Sequence, residues 1–254
     1  MEVHAHTHTA RKKWTHYFWE FLMLFLAVFC GFLAENKREH MIEHQREKKL
    51  ARSLVNDIIA DTLRLHAIIE ARTEKGWMMD SLSSILNAGP PYDSTNTIYY
   101  YAVFAPRTIL YRFIPNEGTL DQLKNAGGLR LIQKGFIADS ITKYDASIRS
   151  LLRQQDLEES AMGDYRNISH RFFDGRVFNR MMNPDNIPSL PTGNPPLISF
   201  SKADLTEFNY KLFVVQAQNR VNRRECRRLL TQANNLLIIL KEEYHQSERT
   251  LLEK

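Results

Sequence analysis

The chain has 254 residues, of which 43% are hydrophobic and 25% are charged, and its formal net charge is +5. This hydrophobic fraction supports a buried core, whereas a mean hydropathy of −0.40 excludes a multi-pass membrane protein. The two cysteines exclude a disulfide framework and a four-cysteine zinc site. The small net charge does not indicate a nucleic-acid partner, and the scarcity of glycine and proline disfavours turn-rich β architectures.

The first segment, residues 1–13, is expected to be a disordered, histidine-rich tail. His4, His6 and His8 alternate along it and could bind a transition metal weakly. Nothing in the local sequence fixes the geometry that a metal site needs. We therefore interpret the tail as unstructured.

Residues 14–34 are predicted to cross a membrane. Fourteen residues from Phe21 to Ala34 carry no charge, and extension back to Trp14 gives 21 residues. A helix of that length is about 31 Å long, which matches the hydrocarbon core of a bilayer. Trp14, Tyr17 and Trp19 form an aromatic belt at one interface. The residues before Ala34 do not fit a cleavage site, so the segment is read as an uncleaved signal-anchor.

Small residues recur on one face of this span. Ala27, Gly31 and Ala34 lie about one helical turn apart, as in the small-xxx-small motifs that bring membrane helices together. They predict a helix–helix contact in the membrane, and with it a homo-oligomer.

The flanking charges bear on orientation. The span is preceded by a basic cluster without acidic residues, formed by Arg11, Lys12 and Lys13. Such a cluster favours a cytoplasmic N-terminus. Lysine and arginine are also numerous between residues 37 and 52, where they are interleaved with glutamate, and counting them alone favours a cytoplasmic domain instead. We expect a single-pass protein of a bacterial inner membrane, with its soluble domain in the periplasm rather than the cytoplasm.

Downstream of the span, the apolar pattern predicts one helix from Trp14 to Arg72. A shorter helix follows from Trp77 to Leu86 and is stopped by Gly89-Pro90-Pro91. From periodicity alone, residues 98–104 could form a strand or a helix, and we predict a helix because no second strand is available to pair with them. The sequence Thr119-x-x-Gln122 predicts a capping box at the start of a helix that Gly127-Gly128 closes.

Two further long helices are predicted, over 136–172 and from Ser201, which acts as the N-cap. A proline-rich crossover at 184–196 separates them and is expected to be exposed. In the last helix an alternating spacing of three and four residues places Asn219 and Asn222 at core positions, where asparagine sets helix register. The fold class is therefore all-α: a transmembrane helix that continues into an elongated antiparallel helical bundle over 35–254. Leu54 and Ile58 are expected to pack against the last helix near Leu236 or Leu240.

The N-terminal strings resemble a known family. MEVHAHTHT, KKWTHYFWEFLMLFLAVFCGFLAEN and REHMIEHQREK are similar to the opening of an uncharacterised family of bacterial single-pass membrane proteins, and TLDQLKNAGGLRLI resembles an internal motif of that family. These strings cover about a quarter of the chain. The resemblance implies an N-terminal anchor and a helical domain, and it offers no catalytic or ligand-binding residues.

One short motif suggests zinc chemistry. His40, Glu43 and His44 match H-x-x-E-H, in which two histidines one helical turn apart bind zinc and the glutamate acts as general base. A zinc peptidase also needs a third protein ligand and a sheltered cleft. Neither is evident near this motif, so we favour a solvated helix in which these residues bind no metal.

A basic cluster in the last helix is the second candidate site. Five arginines within nine residues could bind phosphate or an acidic partner, although a solvated or salt-bridged face is the simpler interpretation. Arg220, Arg224 and Arg227 share one face. The full set is Arg220, Arg223, Arg224, Arg227 and Arg228.

No signature of catalysis is found, since the chain lacks a nucleophile elbow, a phosphate-binding loop, a dinucleotide fingerprint and a C-x-x-C pair. We therefore expect no catalytic residues, no cofactor and no nucleic-acid partner. The favoured function is a membrane-anchored, non-enzymatic scaffold or partner-binding bundle. The alternatives are a ligand-sensing module that signals through a separate output protein and, last, the zinc-dependent peptidase.

Overall fold

The computed structural model describes residues 14–107, 111–125, 127–199 and 201–252, with the backbone alone for 245–252. The predicted tail, 1–13, lies outside the described residues. The part described is helical and contains no β-strand, which confirms the all-α fold class. The α-helices are α1 (Trp14–Ala88), α2 (Thr95–Phe104), α3 (Gly118–Asn125), α4 (Gly135–Ser169), α5 (Gly175–Met181) and α6 (Lys202–Leu252), with a 3-10 turn at Gly128–Leu131.

The chain divides into two units, which are described here from Trp14 to Lys49 and from Leu50 to Leu252. The first unit contains an apolar stretch of α1 that is long enough to cross a membrane, with a mean hydropathy of 2.0 over 18 residues, none of them buried. Gly31 has open space around it, so a side chain there would meet no heavy atom within 4 Å.

The second unit is built on three long helices: residues 50–88 of α1, α4 and α6. Hydrogen bonds join Asp61 to Tyr144 and Arg72 to Glu158, so α4 runs in the same direction as α1. The α6 helix is antiparallel to both, because Asn222 bonds Glu158 whereas Lys211, earlier in the chain, pairs with Asp164. The expectation of antiparallel packing against α1 thus holds for α6 and fails for α4.

One hydrophobic core fills the end of this unit nearer Leu50. Leu54 and Ile58 are each 1% exposed and belong to the same buried cluster as Leu236 and Leu240. The predicted packing of α1 on the last helix is therefore confirmed. A second core lies toward the other end and is rich in aromatic side chains from α2, α4 and the residues around α5.

The predicted break in α1 between Arg72 and Trp77 is wrong. The buried stripe of Leu65 and Ile68 continues without interruption to Leu82 and Leu86. Gly76 does not end the helix, because its missing side chain permits close packing: a Cβ there would lie 3.2 Å from Asn219 Nδ2. The helix ends instead at Ala88, before Gly89, whose φ of +80° breaks the helical conformation.

The shorter elements agree with expectation in part. Residues 98–104 are helical, as predicted, within α2. The capping box at Thr119 is wrong, since Thr119 lies inside α3 and its backbone N–H donates to Asp57 Oδ2 of α1 at 3.3 Å. A side chain from another helix therefore does the capping. Gly127 does adopt a left-handed φ of +68° beyond the end of α3, as a helix-terminating glycine should.

The proline-rich segment is tied down more firmly than expected. Pro188 is buried, and the adjacent Ser189 N–H donates to the Met181 carbonyl at 2.8 Å. The Pro196 carbonyl accepts a hydrogen bond from the Tyr99 hydroxyl. The segment is exposed at most other positions, Ser189 and Pro196 included, so the expectation of exposure fails at Pro188. Ser201 caps α6 as predicted, with its Oγ accepting the Asp204 N–H at 3.1 Å.

Candidate functional site

Polar side chains replace apolar ones at the same level of all three long helices. Each helix contributes a pair spaced three residues apart, and every member is at most 3% exposed. We call this set the polar layer. It consists of Arg72 and Lys75 from α1, Gln155 and Glu158 from α4, and Asn219 and Asn222 from α6.

Glu158 is the centre of the polar layer. Its two carboxylate oxygens accept hydrogen bonds from the Arg72 guanidinium at 3.0 and 2.8 Å, and Oε2 also accepts from Asn222 Nδ2 at 3.1 Å. Asn219 completes the ring, because its Nδ2 donates to the Arg72 carbonyl and its Oδ1 accepts from the Arg72 guanidinium. The three helices are thus joined by directional bonds that fix their register.

Lys75 adds a second buried cation. Its Nζ lies 3.5 Å from Glu158 Oε1, 4.7 Å from the centre of the Tyr111 ring, and donates to the Arg107 carbonyl at 3.3 Å. Burial lowers the pKa of Lys75 to about 8, against the opposing effect of Glu158. One carboxylate therefore faces two cations, and the charge of the layer depends on the protonation of Lys75.

Cys226 lies next to this layer and is fully buried. Burial raises the pKa of its thiol to about 11, so the thiolate needed for nucleophilic attack is disfavoured. Cys226 is therefore a core residue of the bundle.

Above the polar layer, α1 and α6 leave an open groove, which we call the α1–α6 groove. Asn219 forms part of its floor, so the groove reaches the polar layer. Trp77 stands on one wall with 60% of its surface exposed, and its indole packs edge-on against the Tyr101 ring at 5.8 Å. The α1 side contributes Ile69, Glu70, Thr73, Glu74, Gly76, Trp77 and Asp80, and the α6 side contributes Gln216, Asn219, Arg220, Arg223 and Arg227.

The structure divides the five predicted arginines between two surfaces. Arg220, Arg223 and Arg227 line the groove. Arg224 and Arg228 instead flank Glu225, at 3.5 and 4.0 Å. The helical face inferred from the sequence, which grouped Arg224 with Arg220 and Arg227, therefore differs from the groove.

The charges along the groove are mixed. Arg220 lies 3.9 Å from Asp80. The guanidinium groups of Arg223 and Arg227 make no hydrogen bond or ion pair with any described residue. Glu70 and Glu74 line the wall opposite Arg227, so a ligand in the groove would meet both signs of charge.

The histidine motif lies in the first unit. His40 Nδ1 is 3.9 Å from Glu43, and His44 Nδ1 is 3.2 Å from Glu47, so each histidine faces a glutamate three residues on. Among the side chains that the structure describes, those of 14–107, 111–125, 127–199 and 201–244, no group of three or more histidine, cysteine, aspartate or glutamate residues is placed to hold a metal ion. A zinc peptidase would need a third ligand beyond this helix.

No protein-family model, curated protein or solved structure matches this chain. We therefore infer function from the positions and contacts of the side chains. Sequence reasoning missed Arg72, Lys75 and Glu158, although a signal was present. Arg72 and Lys75 continue the alternating three- and four-residue spacing of Leu65, Ile68, Met79 and Leu82, which identifies them as core positions.

Proposed function

We propose that this protein is a single-pass membrane protein whose helical bundle binds a protein partner in the α1–α6 groove without catalysing a reaction. The observation that carries the proposal is the exposed Trp77 beside two arginines, Arg223 and Arg227, that lack partners among the described residues. Tryptophan, tyrosine and arginine are the residues that most often dominate the energy of protein interfaces.

The mixed charge of the groove favours a protein over a nucleic acid. A polyanion approaching Arg223 and Arg227 would also meet Glu70 and Glu74, whose repulsion would offset the gain. A protein segment can place a carboxylate against the arginines, a cation against the glutamates and an apolar side chain against Trp77. The arginines can bind a carboxylate through two parallel hydrogen bonds.

The buried reactive groups support a binding role. Lys75, Glu158 and Cys226 are sealed between helices, where Lys75 and Glu158 bond to other parts of the bundle. Their bonds fix the register of the helices beneath the groove, and a rigid support reduces the entropy cost of binding.

Site-specific photo-crosslinking in native membranes tests the groove. A benzophenone side chain in place of Trp77 should give a discrete heavier product, whereas the same group in place of Leu157, an exposed residue of α4, should not. Replacing Arg223 and Arg227 by alanine should remove most of the product at position 77. Equal products at both positions, no product at all, or a product with the mass of a dimer would overturn the proposal.

The anchor is tested separately. We propose that residues 14–34 hold the protein in a bacterial inner membrane, in keeping with the resemblance of its N-terminal strings, and that the bundle faces the periplasm. The protein should stay in the membrane after carbonate extraction and leave it only with detergent. A topology reporter fused after Lys254 should be active on the periplasmic side; activity in the cytoplasm would reverse the orientation and leave the groove proposal intact.

A further inference from the structure

A cavity of about 350 Å³ lies between α2, the C-terminal part of α4 and the start of α5. Its inner wall is formed by Val103 and the rings of Tyr165, Phe173 and Phe178. The cavity is partly open to solvent, and its volume falls within the range of small-molecule sites, roughly 300–1,000 Å³. It is separate from the α1–α6 groove and from the polar layer.

The polar atoms in the wall already have partners. The Tyr165 hydroxyl donates to the Ala102 carbonyl at 3.4 Å, and Ser169 Oγ donates to the Tyr165 carbonyl at 2.6 Å. The interior therefore offers surfaces for an apolar group and few sites for a polar one. Its three aromatic rings suit another aromatic ring, since edge-to-face and offset contacts are favourable.

The rim of the cavity is basic. Arg166 donates to Glu159 at 2.9 Å and to the Pro106 carbonyl at 3.1 Å, and these two bonds leave further guanidinium N–H groups available. His170 also lines the cavity, and its imidazole makes no hydrogen bond with any described residue. The nearby Asp174 carboxylate is engaged by Arg176. Two donors therefore face the mouth of the cavity and are suited to an acceptor with negative charge.

We propose that this cavity binds a small aryl carboxylate, with its ring among Tyr165, Phe173 and Phe178 and its carboxylate bound by Arg166 and His170. The limited volume excludes a long acyl chain. The inference does not depend on a partner in the α1–α6 groove.

Fluorine NMR with the full chain in lipid nanodiscs tests the proposal, with para-fluorinated phenylpropionate as the probe and empty nanodiscs as the blank. The matching phenylpropanol has the same ring and no charge. The carboxylate should bind saturably and about ten-fold more tightly than the alcohol, as expected for one charge-assisted hydrogen bond. No saturable binding above the blank, or equal affinity for the two probes, would overturn the proposal.

Two glycine variants locate the site. Gly175 lines the cavity, and an added side chain would meet no heavy atom within 4 Å, so Gly175→Leu should fill the mouth and weaken binding about ten-fold or more. Gly163→Leu on α4 also points into open space but does not line the cavity, and it should bind like wild type. Unchanged binding in Gly175→Leu would place the ligand elsewhere. If circular dichroism shows that Gly175→Leu is unfolded, Ser169→Leu fills the cavity from α4 and decides the same question.

The charge assignment has its own readout. His170→Gln and Arg166→Gln should lower the affinity for the carboxylate probe and leave the affinity for the alcohol probe unchanged. The ratio of the two affinities should therefore fall. A variant that lowered the affinity for both probes equally would show a change in the shape of the cavity. That result would contradict the role assigned to the residue.

Discussion

The Arg72 guanidinium donates one hydrogen bond to each carboxylate oxygen of Glu158, and both side chains are at most 2% exposed. The two residues belong to parallel helices, and Asn219 and Asn222 reach both of them from the antiparallel helix. Burying such a pair costs solvation energy that its attraction does not always repay. We therefore expect the pair to fix the register of the helices rather than to add net stability. Removing only one partner should carry a large penalty in stability.

Removing the carboxylate of Glu158 should destabilise the bundle strongly. Glu158→Ala leaves Arg72 and Lys75 as unpaired buried cations, and the free energy of unfolding should fall by about 3–5 kcal/mol. The triple variant Arg72→Met, Lys75→Met, Glu158→Met removes all three charges and should recover most of that loss. Urea denaturation followed by circular dichroism measures both. A triple variant less stable than Glu158→Ala would contradict this prediction. It would show that these residues stabilise the fold through more than their pairing with one another.

The pKa of Lys75 predicts a rise in stability with pH. Because the pKa is lowered from 10.5 to about 8 by burial, the unfolded chain retains a proton between these values that the folded protein releases. The free energy of unfolding should therefore increase by about 1 kcal/mol between about pH 8 and about pH 9, and the effect should be absent below that window. Lys75→Met should lose this increment.

Comparing variants isolates the contribution of Lys75. Lys211→Met removes an exposed lysine that pairs with Asp164 and should keep the wild-type pH dependence. Burial raises the pKa of Cys226 to about 11, so above pH 9 this residue lowers the free energy of unfolding as the pH rises. All the variants contain Cys226, so its effect cancels when they are compared. The same slope in wild type and Lys75→Met would contradict the prediction.

Asp61 should tolerate replacement by asparagine but not by alanine. Its Oδ1 accepts hydrogen bonds from the Asn116 backbone N–H and Nδ2, and its Oδ2 accepts from the Tyr144 hydroxyl at 3.0 Å. An asparagine can keep all three bonds by donating its own amide to Tyr144. Asp61→Asn should remain within about 1 kcal/mol of wild type, whereas Asp61→Ala should lose about 2–3 kcal/mol through unsatisfied donors.

The same site predicts a pH effect in acid. Burial raises the pKa of Asp61 above 3.8, so the folded protein binds the proton more tightly than the unfolded chain. This contribution to stability is present in acid and is lost as pH rises through the folded pKa. The stability of wild type relative to Asp61→Asn should therefore fall as the pH rises above 3.8 and through the raised pKa of Asp61. A constant difference would show that Asp61 is not destabilised by burial.

Leu54 should be far more sensitive to charge than Leu63 on the same helix. Leu54 is 1% exposed in the core, whereas Leu63 is 68% exposed. Leu54→Asp should destabilise the bundle by about 3–5 kcal/mol because it buries an unpaired carboxylate, and Leu63→Asp should change stability by no more than about 0.5 kcal/mol. Thermal denaturation of the two variants gives the comparison. Equal melting temperatures would mean that α1 does not pack in the bundle.

The elements that depend on local pattern could be predicted from the sequence. Leu54 and Ile58 follow a helical repeat, and Ser201 has the side chain and position of an N-cap, so both were assigned correctly. Thr119 has the same local signature but is capped by Asp57, which lies 62 positions earlier. A pattern confined to four residues does not reveal a competing partner from another helix.

The groove and the polar layer could not be predicted because they depend on how α1 and α6 align. The arginines of α6 were visible in the sequence, but their division into two surfaces follows from the position of Trp77 on α1. The sequence predicts a helix that ends at Arg72 and does not show that Arg72 is buried, because a charged residue in a core position requires a partner. That partner, Glu158, lies 86 positions away.

The polar layer also joins parts of the chain that are far apart in sequence. Glu158 bonds to Asn222 across 64 positions and to Arg72 across 86, and Arg72 bonds to Asn219 across 147. Closing any two of the three helices without the third would leave a buried charge or amide in the layer without one of its partners. The layer therefore favours the assembly of all three helices together, and the bundle should unfold in one cooperative transition.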